Sequence, residues 1–282
     1  MIEHDKAAPI GLIAGGGQFP LLFAEAARAR GRRVVAIAHV NETAAELEEV
    51  ADATFWIKLG QLGKIITHFR REKVTEAVFA GTITKTRIFH DIFPDLKGLT
   101  LWGKIDRRQD DAILRAVAAT LEEEGIRILA STCFLDHLFF PKGILTRKKP
   151  STEQMDDIRF GWSIAREIGR LDIGQCVVVR GRSVLAIEAI EGTDATIRRG
   201  GELAGSGAVA VKLKKPHQDF RFDLPATGVT TIETLAAVNG AVLAVEAGQS
   251  LVFDRAAMVA AADRAGLVVI GLAEDESGHL AY

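Results

Sequence analysis

The sequence predicts an α/β protein: an N-terminal Rossmann-like domain with a parallel sheet, followed by a distinct C-terminal α/β domain. Three observations predict it. The first half alternates short apolar strands with helical stretches, the pattern of βαβ units. At 282 residues the chain is long for a single core, so two domains are expected. A basic, turn-rich connection from Phe139-Phe140-Pro141-Lys142-Gly143 to Lys148-Lys149-Pro150-Ser151 then places the boundary near its start, giving domains 1–138 and 139–282.

Taken in order, Pro9 to Ala14 reads as a buried strand, Gly15-Gly16-Gly17 as a tight loop, Leu21 to Arg30 as a helix and Val34 to Ala38 as a second strand. Strand, loop, helix and strand form a βαβ unit, which implies a parallel sheet. The glycines would let a phosphate approach the helix start, or they simply make the turn. The dinucleotide fingerprint fails here, because Pro20 replaces its third glycine and His39-Val40-Asn41 stands where the ribose acid belongs. A redox enzyme is thereby disfavoured.

Ala44 to Val50 reads as a helix, Ala53 to Leu59 as a strand, and Gly60 to Arg71 as a helix with Leu62, Ile65, Ile66 and Phe69 on one face. The strand Val74 to Ala80 leads into Gly81-Thr82-Ile83-Thr84-Lys85, so this loop and Gly15–Gly17 both fall at carboxyl ends of parallel strands. The apolar stretch from Ile88 to Trp102, with Lys85, Arg87, Lys97 and Lys104, reads as a core helix with solvated cations; a wall for an acyl chain or a membrane surface is the alternative. Asp110 and Asp111 precede a helix from Ala112 to Glu124, where two acids at the start suit the macrodipole and are also of a type to bind metal or ribose. Ile126 to Ala130 is the last strand of this half, and His90 and His137 lack partners at ligand spacing.

The second half opens with a helix from Ser151/Thr152 to Arg170 and a hairpin of Gly174–Arg180 with Arg182–Ile190. Glu188 sits in that apolar second strand and needs a cation or metal; Glu191 and Asp194 follow, with Thr193 or Asp194 capping the next helix. After the strand Val209–Leu213 comes the run Lys212 to Asp219, rich in lysine. Phe220-Arg221-Phe222 reads as the end of a strand, with Asp223 at its tip. Pro225 and Gly228 turn the chain, and Thr230 with Glu233 matches a capping box. A carboxylate beside a helix start is placed to hold a divalent metal against a phosphate. Strands at Ala241–Glu246, Leu251–Phe253 and Val268–Leu272 follow, with a helix Arg255–Ala265 and a frayed tail.

Composition bounds the function. A net charge of -2 supplies no field to draw in nucleic acid. Cys133 and Cys176 lie in apolar contexts without metal spacing, as buried thiols of a reducing compartment do. The polar Met1–Lys6 start and the lack of a long apolar run predict a cytoplasmic protein, with contact at a membrane surface left open.

The blocks Gly11–Gly17 with Pro20, Asp110-Asp111-Ala112, Ala165–Gln175, Glu188–Asp194 and Asp223–Gly228 resemble the LpxI-type UDP-2,3-diacylglucosamine pyrophosphatases of lipid A biosynthesis. The resemblance spans nearly the whole chain. It implies a metal-dependent hydrolase with its active site between two domains. Such an enzyme cleaves UDP-2,3-diacylglucosamine to lipid X (2,3-diacylglucosamine 1-phosphate) and UMP, uses Mg²⁺ or another divalent cation, and directs water to the sugar-side phosphorus. It further implies a homodimer, and its essential aspartate matches Asp223; peripheral contact with the inner membrane is left open. Residues and resemblance together nominate Asp223 as catalytic, and Asp223, Glu188, Glu191 and Asp194 as metal ligands. Gly15, Gly16, Gly17, Gly81, Thr82, Asp110, Asp111, Thr193, Lys214, Lys215, Thr227 and Gly228 are the substrate-binding candidates. A non-catalytic nucleotide- or lipid-binding regulatory module is the competing reading.

Overall fold

The computed structural model describes residues 8–84, 93–102, 110–216, 218–222, 224–275 and 277–282, with the backbone alone for 102 and 110–112. The chain divides into two compact units, Met1–Asp136 with Asp219–Asp223, and His137–Gln218 with Leu224–Tyr282. Among the described residues no helix is long and apolar enough to cross a membrane.

The first unit holds a five-stranded parallel sheet in the order β3-β2-β1-β4-β5, built from β1 (Ile10–Ala14), β2 (Val34–His39), β3 (Ala53–Ile57), β4 (Glu76–Ala80) and β5 (Arg127–Ile128). Every residue of β1 and β2 is buried, which is why these strands read as unbroken apolar runs rather than alternations. The helix Leu62–Arg71 turns Leu62, Ile65, Ile66 and Phe69 to the core, as its spacing predicts. The chain winds from β1 outward to β3 and then returns to β4 on the other side of β1. That reversal creates a topological switch point between β1 and β4.

The second unit is a sheet in the order β14-β13-β11-β9-β7-β8, with β6 (Gly143–Ile144) also paired to β13. Its centre is parallel: β9 (Val209–Lys212), β11 (Val242–Glu246) and β13 (Val268–Glu274). The hairpin β7 (Cys176–Arg180) and β8 (Ser183–Ile187) runs antiparallel to β9. One face is covered by the helix Thr152–Arg170, started by a capping box of Ser151 and Gln154. The other is covered by the helices Thr193–Ala204, Val229–Ala237 and Arg255–Arg264. Buried Asp157 accepts the Gly181 and Arg182 N–H groups and so fixes the hairpin turn.

Several local expectations change. The basic connection is not mere loop, since Gly143–Ile144 adds a strand to β13. The tail pairs as β14 (Leu280–Ala281) with Ala273 and Glu274 instead of fraying. Helix and strand at Ala44–Val50 and Ile126–Ala130 shrink to Leu47–Val50 and Arg127–Ile128. Phe220–Phe222 is a turn, not a strand end. Its alternation of apolar side chains reflects one anchor, Phe222, which enters the core of the first unit. Strand structure resumes only at β10 (Ala226–Thr227), paired with β12 (Leu251–Val252).

Candidate functional site

In the first unit the polar residues gather at the switch point. Gly16 and Thr82 pair across it, Gly16 N–H to Thr82 carbonyl at 2.7 Å and Thr82 N–H to Gly16 carbonyl at 3.1 Å. The Gly15 N–H donates to the Ala80 carbonyl at 2.8 Å. The two loops therefore lie together, and their glycines are needed for mutual approach. A Cβ on Gly15 would stand 2.5 Å from the Thr82 carbonyl oxygen, and one on Gly81 (φ +91°) 2.5 Å from that of Gly16. These N–H groups are spent on the backbone, so the phosphate-cradle reading of Gly15 and Gly16 weakens. Gly17 differs, being exposed, at φ +83° and with open space before it at the start of the helix Phe19–Ala29.

His39, at the end of β2, is buried and its Nδ1 lies 2.9 Å from the Ala14 carbonyl. Burial lowers its pKa, against the opposing pull of that carbonyl and of Glu42, so the ring is held neutral. Glu42 reaches across to Thr84, accepting from its N–H at 3.3 Å and its hydroxyl at 3.1 Å. Sequence reading stops at His39–Asn41 and misses Glu42. The available signal was an acid shortly after β2.

The second unit brings Glu188, Thr193, Asp194 and Lys212 together. Antiparallel register sets Cys176 opposite Lys212, and the Glu188 N–H donates to the Cys176 carbonyl. These residues thus lie at the carboxyl end of β9. Glu188 is 7% exposed; its Oε1 accepts from the Thr193 hydroxyl at 3.2 Å, while Oε2 has no hydrogen-bond partner among the described residues. Burial pushes its carboxyl upward, only partly offset by Lys212 and Thr193. Lys212 is 4% exposed and donates from Nζ to the Ala226 carbonyl at 2.7 Å. Asp194, in the first turn of Thr193–Ala204, accepts from Thr231 in the first turn of Val229–Ala237. Two helix starts and a lysine thus offset two acids in one neighbourhood.

The capping expectations differ in detail. Gly192 (φ +83°), not Thr193 or Asp194, is the N-cap of Thr193–Ala204, leaving Thr193 to bind Glu188. Gly228 is the N-cap of Val229–Ala237, which has no side-chain cap, so the Thr230–Glu233 capping box does not form. Glu191 turns away to Arg199 (2.6 Å), Thr196 and the Ala189 N–H. Lys215 pairs with Asp172 at 2.6 Å, and the Lys214 N–H donates to Glu246. Both lysines line a hollow with Arg166, Glu246 and Gln249, which Glu188, Asp194 and Lys212 do not line. Thr227 is buried on β10, its hydroxyl on the Leu251 carbonyl. Among the described residues, no three His, Cys, Asp or Glu side chains are set to hold a metal ion. Asp223 lies outside the described residues, as do the side chains of Asp110 and Asp111. In sequence, Lys212 reads as one member of a cationic run; only its burial singles it out.

Fold and sites define a two-domain α/β protein whose polar residues gather at the carboxyl ends of parallel strands, where such sheets take their ligands. Comparison with known proteins gives the family. Residues 9–138 match the family model of the LpxI N-terminal domain, and residues 141–270 that of the LpxI C-terminal domain. The chain is 38% identical over 278 residues to the UDP-2,3-diacylglucosamine pyrophosphatase LpxI of Caulobacter vibrioides, covering 95% of this chain and 98% of that protein. The chain belongs to the LpxI family.

Proposed function

We propose that this protein hydrolyses the pyrophosphate of UDP-2,3-diacylglucosamine, releasing lipid X and UMP, in a divalent-metal-dependent reaction. The observation that carries the reading is the similarity along nearly the whole chain to the Caulobacter pyrophosphatase. The buried Glu188–Lys212 neighbourhood supports it, because an acid with an oxygen unpartnered among the described residues, beside a helix start, is poised for a charged ligand.

The residues fit a cation in part. Glu188 Oε2 and Asp194 supply carboxylate oxygens, the donor type Mg²⁺ requires; Asp223, the further ligand proposed, lies outside the described residues. Glu191 is the weakest member of the proposed shell, since Arg199 already holds it. A bound cation would neutralise charge developing on the phosphoryl oxygens. Asp223 orients the water that attacks the sugar-side phosphorus. As the new P–O bond forms, the bridging bond breaks and UMP leaves with the bridging oxygen. Lys212 and the start of Val229–Ala237 stabilise the phosphate charge from the protein side. Gly17, with Gly81, Thr82 and the neighbouring switch-point residues, holds the nucleotide.

Because the proposed substrate carries two acyl chains, contact with a bilayer surface is part of the reading. Exposed Phe93, Leu96 and Leu99 support it, with Lys58 over the Phe93 ring at 4.3 Å and Lys64 beside Leu96. A homodimer in the cytoplasm is proposed as well, on the family resemblance.

The deciding assay follows UMP and lipid X release from UDP-2,3-diacylglucosamine with Mg²⁺, with EDTA and with Asp223→Ala. Turnover abolished by both EDTA and the substitution supports the reading. Substrate bound but returned intact under every condition supports a regulatory binding module instead.

A further inference from the structure

We propose that the face formed by Phe93, Leu96 and Leu99 docks on a bilayer whose lipids carry negatively charged headgroups, with Lys58, Lys64 and Lys97 as the charges that meet them. The inference deepens the reading that the substrate's two acyl chains lie in a membrane, and it rests on that reading for the presence of the bilayer.

The helix Leu96–Trp102 has two faces. Leu101 packs on the core of the first unit, as an apolar helical stripe should. Leu96, Leu99 and the preceding Phe93 instead stand out from it, 84%, 54% and 52% exposed. Their exposure is built in. The Phe93 N–H donates to the Leu59 carbonyl at 2.9 Å, and Asp95 accepts from the Lys64 N–H at 3.3 Å and the Gly98 N–H at 2.9 Å. A Cβ on Gly98 would stand 2.2 Å from the Gly60 carbonyl oxygen, so this glycine permits the close approach to the loop before the helix Leu62–Arg71. Clustered apolar side chains held out to water on a fixed element mark a contact surface.

The rim decides what covers it. The Lys58 ammonium lies 4.3 Å from the Phe93 ring centroid, and Lys64, Lys97 and Leu96 line one open hollow of about 480 Å³. Burial, then Arg71 and Lys64, lower the pKa of His68 in that hollow, so its ring stays neutral beside the cations. The acids of this face are already engaged: Asp95 by two N–H groups, Glu124 by Arg70 and Lys97, and Glu72 by Arg33 and Arg71. Among the described residues no carboxylate pairs with the Lys58 or Lys64 ammonium. Apolar side chains rimmed by such lysines are the arrangement that holds an interfacial element on anionic lipid. A second copy of the chain fits this face worse, because a two-fold contact would set lysines against lysines.

The test is sedimentation of the full chain with phosphatidylcholine vesicles, with and without phosphatidylglycerol. Wild type should bind the anionic vesicles more tightly, by roughly fivefold for each engaged lysine. Lys58→Gln with Lys64→Gln should remove most of that preference, and added salt should act in the same direction. Leu96→Ser with Leu99→Ser should weaken binding to both kinds of vesicle by roughly tenfold. Leu203→Ser, at an exposed leucine of the second unit, should leave binding unchanged. Unchanged urea midpoints show that the variants are folded. Equal binding of wild type to both vesicles, or wild-type binding by the Leu96 and Leu99 variant, overturns the inference. Self-association abolished by that variant, without vesicle binding, assigns the face to a second copy and overturns it too. Hydrolysis of detergent-dispersed substrate is read separately. Turnover without vesicle binding overturns the docking face and leaves the proposed function standing, whereas vesicle binding without turnover overturns the proposed function alone.

Discussion

The ring of Phe222 stands edge-on to that of Phe79 on β4, with centroids 5.3 Å apart and planes at 85°. Phe222 is 8% exposed and belongs to the core of the first unit. Arg221 beside it pairs with Asp219 at 2.9 Å and with Glu122 at 3.0 Å. A segment that follows the strand β9 in sequence is thus anchored in the other unit, one residue before the candidate catalytic Asp223.

Truncating this anchor should cost both stability and turnover. Phe222→Ala is expected to lower the unfolding free energy of the first unit by about 3 kcal/mol, the usual cost of emptying a buried aromatic site. Phe222→Leu should lose less, and Glu122→Gln less than about 1 kcal/mol because that pair is part-exposed. Equilibrium urea unfolding reads all three; equal effects from Phe222→Ala and Glu122→Gln would show that the aromatic anchor is not the dominant contact.

The switch-point glycines should separate into two kinds. Gly15→Ala and Gly81→Ala each drive a methyl to 2.5 Å from backbone oxygen, with a positive φ at Gly81 besides. Losses above about 2 kcal/mol are expected for both. Gly17→Ala meets only open space, so strain alone remains, about 1 kcal/mol. Urea midpoints in the reverse order would contradict this account of why the glycines are there.

Glu188→Gln should stabilise the fold while damaging the proposed reaction. Burial raises the Glu188 pKa despite Lys212, so the native state binds more protons than the unfolded chain between the ordinary carboxylate range and that raised value. Wild-type stability should accordingly fall as pH rises through this window, and the amide should remove that fall. Thermal unfolding of both proteins from acid to neutral pH checks the slope, alongside turnover with Mg²⁺. A variant that is less stable than wild type at neutral pH would mean that the Lys212 attraction outweighs burial.

His39 should give a slope of opposite sign. Its folded pKa is lowered, chiefly by burial, so an unfolded histidine takes up a proton near pH ~6.5 while the folded one does not. Its contribution is complete above that pH and is lost as pH falls toward the lowered folded value. The difference between wild type and His39→Gln, measured by urea unfolding from pH ~7.5 down to ~5, should shrink on acidification. A constant difference would place a neutral, hydrogen-bonded His39 in doubt.

The sequence by itself determined the class of fold, the parallel first sheet, the helical face of Leu62–Phe69 and the helix from Ser151/Thr152 to Arg170. Those features follow from local chemistry: apolar periodicity, glycine at positive φ and side chains that satisfy helix ends. It also determined the family, because separated blocks recur in order along the chain. Tertiary structure alone decided which charged residues matter. Lys212 and Lys215 look alike in one basic run, yet register buries the first opposite Cys176, while the second pairs with Asp172. Glu188 and Glu191 are three residues apart, but one loses its water inside the sheet edge and the other keeps Arg199. Phe222 mimics a strand end and is instead a core anchor for the first unit. Burial and long-range partners are set by strand register and by contacts distant in sequence, so local pattern carries no record of them.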